Sequence, residues 1–201
     1  MDKFDYLSRD AQKINVNHNS FNHDIVMRGA RVIDNQICYP EKYEFELKKM
    51  YVSRYNMHHD VYQHKTTTAL ELIVCDIIRE SDGILYDYLD VIYDPERYIH
   101  LDDSLLHEIR VSDDPRLAKA QALVEKFDRR ELYSCVGEKG INLQLAKKMG
   151  KITEADIINA ATNSGNLKAE DICVRKCNMH FGMKEKNPLS EVSFFRVQSD
   201  G

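Results

Sequence analysis

The stretch that opens at Pro40-Glu41 and is predicted to stay helical to about Ser81 constrains this chain most. It offers Leu47, Met50, Leu70, Leu72, Ile73 and Ile77 to a core, which commits the first half of the chain to a mainly helical architecture. Within it, Arg54, His58, Tyr62 and Lys65 follow at spacings of four, four and three, so a helix gathers them in one stripe. An ordinary core-facing stripe holds Leu, Ile and Val. A guanidinium, an imidazole, a phenol and an ammonium instead suit a phosphorylated ring compound, with Arg as a bidentate fork and Lys as a point charge. Spacing alone leaves a second reading open: a solvated basic face beside an apolar one made by Met50, Met57 and Val61.

Around this stretch the pattern is shorter in range. Asp2 to Ile14 reads as a helix with Phe4, Leu7 and Ala11 on its apolar face, and Phe21 to Gly29 as a short helix. Arg31-Val-Ile-Asp34-Asn35-Gln-Ile-Cys38 reads as a tight hairpin about Asp-Asn. Asp114-Pro115 is a helix start, with Asp as cap and Pro at the first helical position. Thr153-Glu-Ala-Asp156 resembles a capping box with Asp in place of Glu. Leu132–Val136, Asp171–Met179 and Val192–Val197 read as strands. The fold class expected is mainly α, followed by a smaller α+β lobe with a short antiparallel sheet. No G-x-x-x-x-G-K-[ST] or G-x-G-x-x-G phosphate loop occurs.

Composition narrows the function classes. At 201 residues, 30% charged and net charge -5, the chain does not suit a general nucleic-acid binder, although a local basic patch is compatible with it. No apolar run approaches the ~20 residues that cross a bilayer, and Met-Asp-Lys-Phe-Asp does not open a signal peptide. Five widely spread cysteines, an odd number, fit reduced thiols, so the expected compartment is intracellular, cytoplasmic or nuclear. Cysteines buried in strands are the expected state. Cys173-x-x-x-Cys177-x-x-His180 is only a faint metal motif, because no second ligand pair stands at finger-like spacing. The chain opens directly on helix-like, site-like sequence, as an excised part of a longer protein would.

The first helix carries a stripe of its own. Asp2, Lys3, Tyr6 and Asp10 share roughly one face. A leading carboxylate suits a divalent metal, a lysine suits a phosphate, and Tyr6 with Asp10 suits a sugar hydroxyl. The plainer alternative is an N-terminal turn whose acids are favoured by the helix dipole. His59-Asp60 looks like an HD metal pair, but no upstream His accompanies it. Both are expected to face solvent.

Taken in order, these residues carry a family resemblance. The segments are Asp2-Lys3-Phe4-Asp5-Tyr6-Leu7-Ser8-Arg9-Asp10, Ala30-Arg31-Val32 and Arg54-x-x-x-His58-x-x-x-Tyr62-Gln63-His64-Lys65. Asp114-Pro115-x-Leu117, Arg130-x-Leu132-Tyr133-x-x-Val136-Gly137-Glu138, Phe181-Gly182-Met183-Lys184-Glu185-Lys186-Asn187-Pro188 and Val192-Ser193-Phe194-Phe195 follow. Together they resemble the later part of the SAM and HD domain-containing deoxynucleoside triphosphate triphosphohydrolases, over nearly the whole chain.

The resemblance implies a reaction and roles. Enzymes of that family hydrolyse a dNTP to the deoxynucleoside and triphosphate at an HD metal centre. Carried over by position, Asp2 is a metal ligand and Lys3 and Arg54 are triphosphate contacts. Tyr6 and Asp10 read the 3′-hydroxyl, Tyr62 packs on the sugar where a 2′-hydroxyl would clash, and His58 and Gln63 line the base side. Lys42, Lys65, Arg130 and Lys186 match basic positions of allosteric nucleotide sites. The segment around Ile25 and Pro40 lacks the arginines expected there, so guanine-nucleotide control is not implied.

The catalytic histidine and the other metal ligands would lie before Met1, and a lone Asp2 cannot hold a catalytic metal that needs about three or more protein ligands. The resemblance therefore implies residues 1-93 as the C-terminal helices of an HD-type domain with a hairpin near 31-38, and 94-201 as a mixed lobe. It implies a divalent metal (Mg, Mn, Fe or Zn) in the complete enzyme, dNTP as ligand, and a homo-oligomer, dimer or tetramer. The expected chain is an incomplete, inactive portion of that hydrolase. The alternative is an inactive nucleotide-binding or oligomerisation module of the same family.

Overall fold

The structure, a computed structural model, describes residues 2–17, 21–162, 165–177, 179–183 and 186–196. Helix α1 spans Asp2–Lys13, with Asp2 and Asp5 in its first turn, Lys13 in its last, and Phe4, Leu7 and Ala11 buried. That charge order complements the helix dipole. Helix α2 (His23–Gly29) starts where the Asn22 side chain accepts from the Ile25 amide. Gly29 closes it in a tight place, since a Cβ there would lie 2.3 Å from Cε2 of Tyr43.

The hairpin forms where expected. Strands β1 (Arg31–Ile33) and β2 (Gln36–Pro40) pair antiparallel around Asp34 and Asn35, both in the left-handed region at φ 50° and 59°. Strand β3 (Ser193–Phe195) then joins β2 in parallel, with Cys38 opposite Ser193, so the small sheet is mixed. The terminal strand expectation ran to Val197, which lies outside the described residues.

The long helix is not continuous. A 3-10 turn (Glu41–Tyr43) leads into α3 (Glu44–Met57), which widens into a π turn at His58–Tyr62. The chain leaves helical geometry at Gln63 and His64, and α4 (Lys65–Ser81) restarts with the His64 ring accepting from the Thr66 amide. A period of 3.6 cannot register the extra residue of a π turn, which is where the continuous-helix expectation fails.

Beyond α4 come α5 (Tyr88–Ile92), α6 (Pro95–Tyr98) and α7 (Leu105–Val111), none of them anticipated from periodicity. Asp114 caps a 3-10 turn (Pro115–Leu117) that feeds α8 (Ala118–Asp128). Helix α9 (Leu143–Met149) follows, and α10 (Glu154–Ala160) begins at the expected capping box, with Thr153 and Asp156 bonded reciprocally. The strands expected at 132–136 and 171–179 are absent among the described residues, because neither run meets a pairing partner. Nor are the cysteines mostly buried: only Cys38 is, and Cys75, Cys135, Cys173 and Cys177 are exposed.

Two apolar clusters hold the chain. The first joins Phe4, Leu7, Ala11, Phe21, Val26, Leu47, Met50 and Met57, with Leu189, Val192 and Phe194 packed against it from the far end of the sequence. The second joins Ile73, Ile77, Tyr88, Leu105, Ile109, Leu117, Ala120 and Val124, as α8 packs along α4. Packing thus ties α4 to the helices after residue 93. No helix among the described residues is long and apolar enough to cross a membrane.

Candidate functional site

The two polar stripes meet. Helices α1 and α3 pack together through Phe4, Leu7, Leu47 and Met50, which sets Tyr6 and Asp10 beside the π turn. There the Tyr62 hydroxyl donates to Oδ2 of Asp10 at 2.7 Å across 52 residues of sequence. The rings of Tyr6 and Tyr62 lie 6.2 Å apart, and His58 meets Tyr62 edge-on at 5.1 Å. The extra residue of the π turn shifts the Tyr62 side chain relative to Arg54, which an undistorted helix would keep in strict line.

Electrostatics follow this geometry. Burial, then the bond to Asp10, pushes the Tyr62 phenol far above its ordinary 10.0, so it is a fixed donor and not a base. Tyr6 is also raised, chiefly by burial, with Arg54 near enough to oppose the shift. His58 is held below an ordinary imidazole by burial first, then by Arg54 and His180, which favours its neutral form. Arg54 is half-buried and donates from Nη1 to the His180 carbonyl at 2.7 Å.

Other expected residues stand differently. Lys3 is half-buried on the same helix as Tyr6, and Asp2 is exposed at its start. Gln63 terminates the π turn with a buried Oε1 that meets no hydrogen-bond donor among the described residues. Lys65 leaves the stripe, because the break at His64 makes it the exposed first residue of α4. Lys42 lies over the Tyr43 ring at 5.1 Å and Lys186 pairs with Glu191 at 3.4 Å. Arg130 is exposed after α8 with φ 60°. His59 and Asp60 are exposed and bonded to each other at 2.5 Å.

What sequence reading missed is the segment 180–182, which reaches α3 from the other end of the chain. Phe181-Gly182 stood in the sequence as part of a family-like segment and His180 in a faint metal motif, but neither signal points to α3. A cavity of about 490 Å³ opens elsewhere, lined by Glu41, Glu44, Asn187, Leu189, Ser190 and Phe194, and holds none of the stripe residues. The stripes form a face, not a closed pocket. That face joins a carboxylate, two phenols, a neutral imidazole and a guanidinium, a set able to hold a hydroxylated ring that carries phosphate.

No family model matches the chain. Among curated proteins, the deoxynucleoside triphosphate triphosphohydrolase SAMHD1 homolog of Dictyostelium discoideum is 31% identical over 97% of this chain and 37% of its own length. SAMHD1 of Homo sapiens is likewise 31% identical over 97% of this chain and 34% of itself. The chain resembles the C-terminal part of the SAM and HD domain-containing dNTP triphosphohydrolases. An HD domain-containing protein of Acanthamoeba polyphaga mimivirus is also similar, 29% identical over 100% of this chain and 46% of itself.

The chain spans about 35% of the length of the triphosphohydrolases it matches. The metal that an HD-type hydrolase implies finds no complete site in the residues present. Among the described residues no group of three His, Cys, Asp or Glu side chains could hold an ion, Cys173, Cys177 and His180 included. Asp2 on α1 is a single exposed carboxylate.

Proposed function

We propose that this chain contributes the sugar- and phosphate-binding wall of a metal-dependent dNTP triphosphohydrolase, which converts a dNTP and water to the deoxynucleoside and triphosphate. The Tyr62–Asp10 hydrogen bond beside Tyr6 carries this reading, because it builds one face from two separate helices. Asp10 retains acceptor capacity beyond its bond to Tyr62, and with Tyr6 it takes the 3′-hydroxyl. The Tyr62 ring stands against C2′, where an added hydroxyl has no room and no partner. Arg54 and Lys3 meet the triphosphate, Arg54 through guanidinium N–H groups other than the one bonded to His180. His58 and Gln63 face the base, and His58 does so without adding charge.

Asp2 is one ligand of the divalent metal, and its other ligands are not among the described residues. Such an ion supplies an activated water and charge neutralisation when bound. This chain's own residues bind and orient. Exposed Leu89, Ile92, Tyr93 and Ile99 on and after α5 and α6 support self-association into a dimer or tetramer.

The test measures binding of dNTP and NTP to the 201-residue chain by equilibrium titration, and triphosphate release with Mg or Mn from this chain and from an upstream-extended protein. Arg54→Ala should weaken dNTP binding by well over tenfold, more than ~1.4 kcal/mol. Equal binding of dNTP by the wild-type chain and Arg54→Ala would remove the assignment of the stripe. Since no three-ligand metal group exists among the described residues, a second reading is a nucleotide-binding module without turnover. Binding without release in either protein favours that module.

A further inference from the structure

Segment 180–182 lies on α3 as a clamp, and each of its residues engages a different group there. The His180 carbonyl accepts from Arg54 Nη1 at 2.7 Å. The Phe181 ring stacks on Tyr55 with centroids 4.7 Å apart and planes 21° from parallel. Gly182 lies flat on Tyr51: a Cβ there would sit 3.3 Å from Cδ1 and Cε1 of that ring, and its φ of 134° is one that only glycine adopts readily. Finally, the Gly182 amide donates to His180 Nδ1 at 3.0 Å, which closes the segment into a fixed turn.

Tyr51, Arg54 and Tyr55 stand at i, i+3 and i+4, so they form one patch on α3. The clamp crosses 126 residues of sequence to reach it. An arginine side chain has large rotamer freedom, and fixing it before a ligand arrives removes part of the ordering cost of binding. A backbone carbonyl orients a guanidinium without neutralising it, so the positive charge stays available for phosphate.

We infer that Phe181 and Gly182 are positioning residues for phosphate recognition. Through the aromatic stack and the tight turn they hold the His180 carbonyl where it aims Arg54 at the phosphate chain of a nucleotide. This rests on the proposed reading of Arg54 as a phosphate contact. It adds a role for a segment that also places the His180 ring near enough to act on His58.

The experiment titrates inorganic tripolyphosphate and a dNTP into the chain and its variants, each checked for a wild-type unfolding midpoint. Phe181→Ala should weaken both ligands about tenfold, and Phe181→Tyr, which keeps the stack, should restore most of the loss. In an Arg54→Ala background, Phe181→Ala should have little further effect, because the clamp acts through that guanidinium. The Arg54 Nε–H resonance should broaden or move in Phe181→Ala and return in Phe181→Tyr. Gly182→Ala gives a second route to the same loss if Phe181→Ala lowers the unfolding midpoint. Wild-type affinity in Phe181→Ala, with Arg54→Ala impaired, overturns the clamp and leaves the site reading standing. Additive losses in the double variant also overturn it. Wild-type affinity in Arg54→Ala removes the site reading itself.

Discussion

The two helices on either side of His64 have similar backbones and opposite uses. Helix α4 buries Ala69, Ile73, Ile77 and Ser81 at a spacing of four, and its one buried hydroxyl is satisfied by Ile77, Ile78 and Tyr88. Helix α3 buries Leu47, Met50, Ser53 and Met57 but turns Arg54, with His58 and Tyr62 of the following π turn, toward polar partners. The apolar helix is anchored by α8, whereas α3 packs on α1 through the first cluster. The polar side of α3, continued by the π turn, donates hydrogen bonds to Asp10 and to the clamp at 180–182. Stability and recognition are thus divided between consecutive helices. A change on one should be felt weakly on the other.

That division can be broken in four ways. Leu117 is fully buried between α4 and α8, so Leu117→Ala should cost ~2–5 kcal/mol in urea unfolding. Nucleotide affinity of the molecules still folded should be unchanged, and a parallel fall would show that the two helices act as one unit. Tyr62→Phe removes only the donor to Asp10 and should cost about 1 kcal/mol of stability while keeping discrimination against NTP. Discrimination should disappear in Tyr62→Ala, and if it does not, the ring is not the wall.

A weaker effect is a matter of pH. Burial, Arg54 and His180 keep His58 below the 6.5 of a free imidazole, so the unfolded chain binds a proton that the folded chain refuses. The stability contributed by neutral His58 is therefore present above pH 6.5 and lost as the pH falls through the window below it. His58→Gln should flatten that part of a melting-temperature profile, and an unaltered profile would place the acid sensitivity elsewhere. The smallest effect belongs to the exposed Arg110–Asp128 pair near the second cluster. Despite its forked geometry at 2.8 Å, Arg110→Ala should cost less than ~1 kcal/mol by the same unfolding measurement.

Local signals in the sequence carried the elements that depend on neighbours. Apolar spacing marked α1, Asp34-Asn35 marked the hairpin, and Thr153 with Asp156 marked the start of α10. Signals that depend on distant partners were silent or misleading. Leu132–Val136 has strand composition without a strand to pair with, while Ser193–Phe195 becomes one only because β2 offers its edge. The site divides in the same way. Both stripes were visible as periodicities, including the pairing types of Tyr62 and Asp10. Their meeting needed the packing of α1 on α3, and neither the π turn nor the break at His64 that carries Lys65 away from Arg54 has a compositional mark. The clamp was invisible because a carbonyl belongs to every residue, and only the fold decides which one faces an arginine.

The parallel pairing of β3 with β2 sets an order of events during synthesis. Cys38 leaves the ribosome long before Ser193, its partner across the strands, so the first apolar cluster cannot be completed while the middle of the chain is being made. The α4–α8 pair needs no residue so late and can form first. Until Ser193 arrives, β2 keeps an unpaired edge open to any other extended segment. A pause in translation before that point would therefore favour association between nascent copies, and final closure of the sheet should be the slow, sequence-distant step.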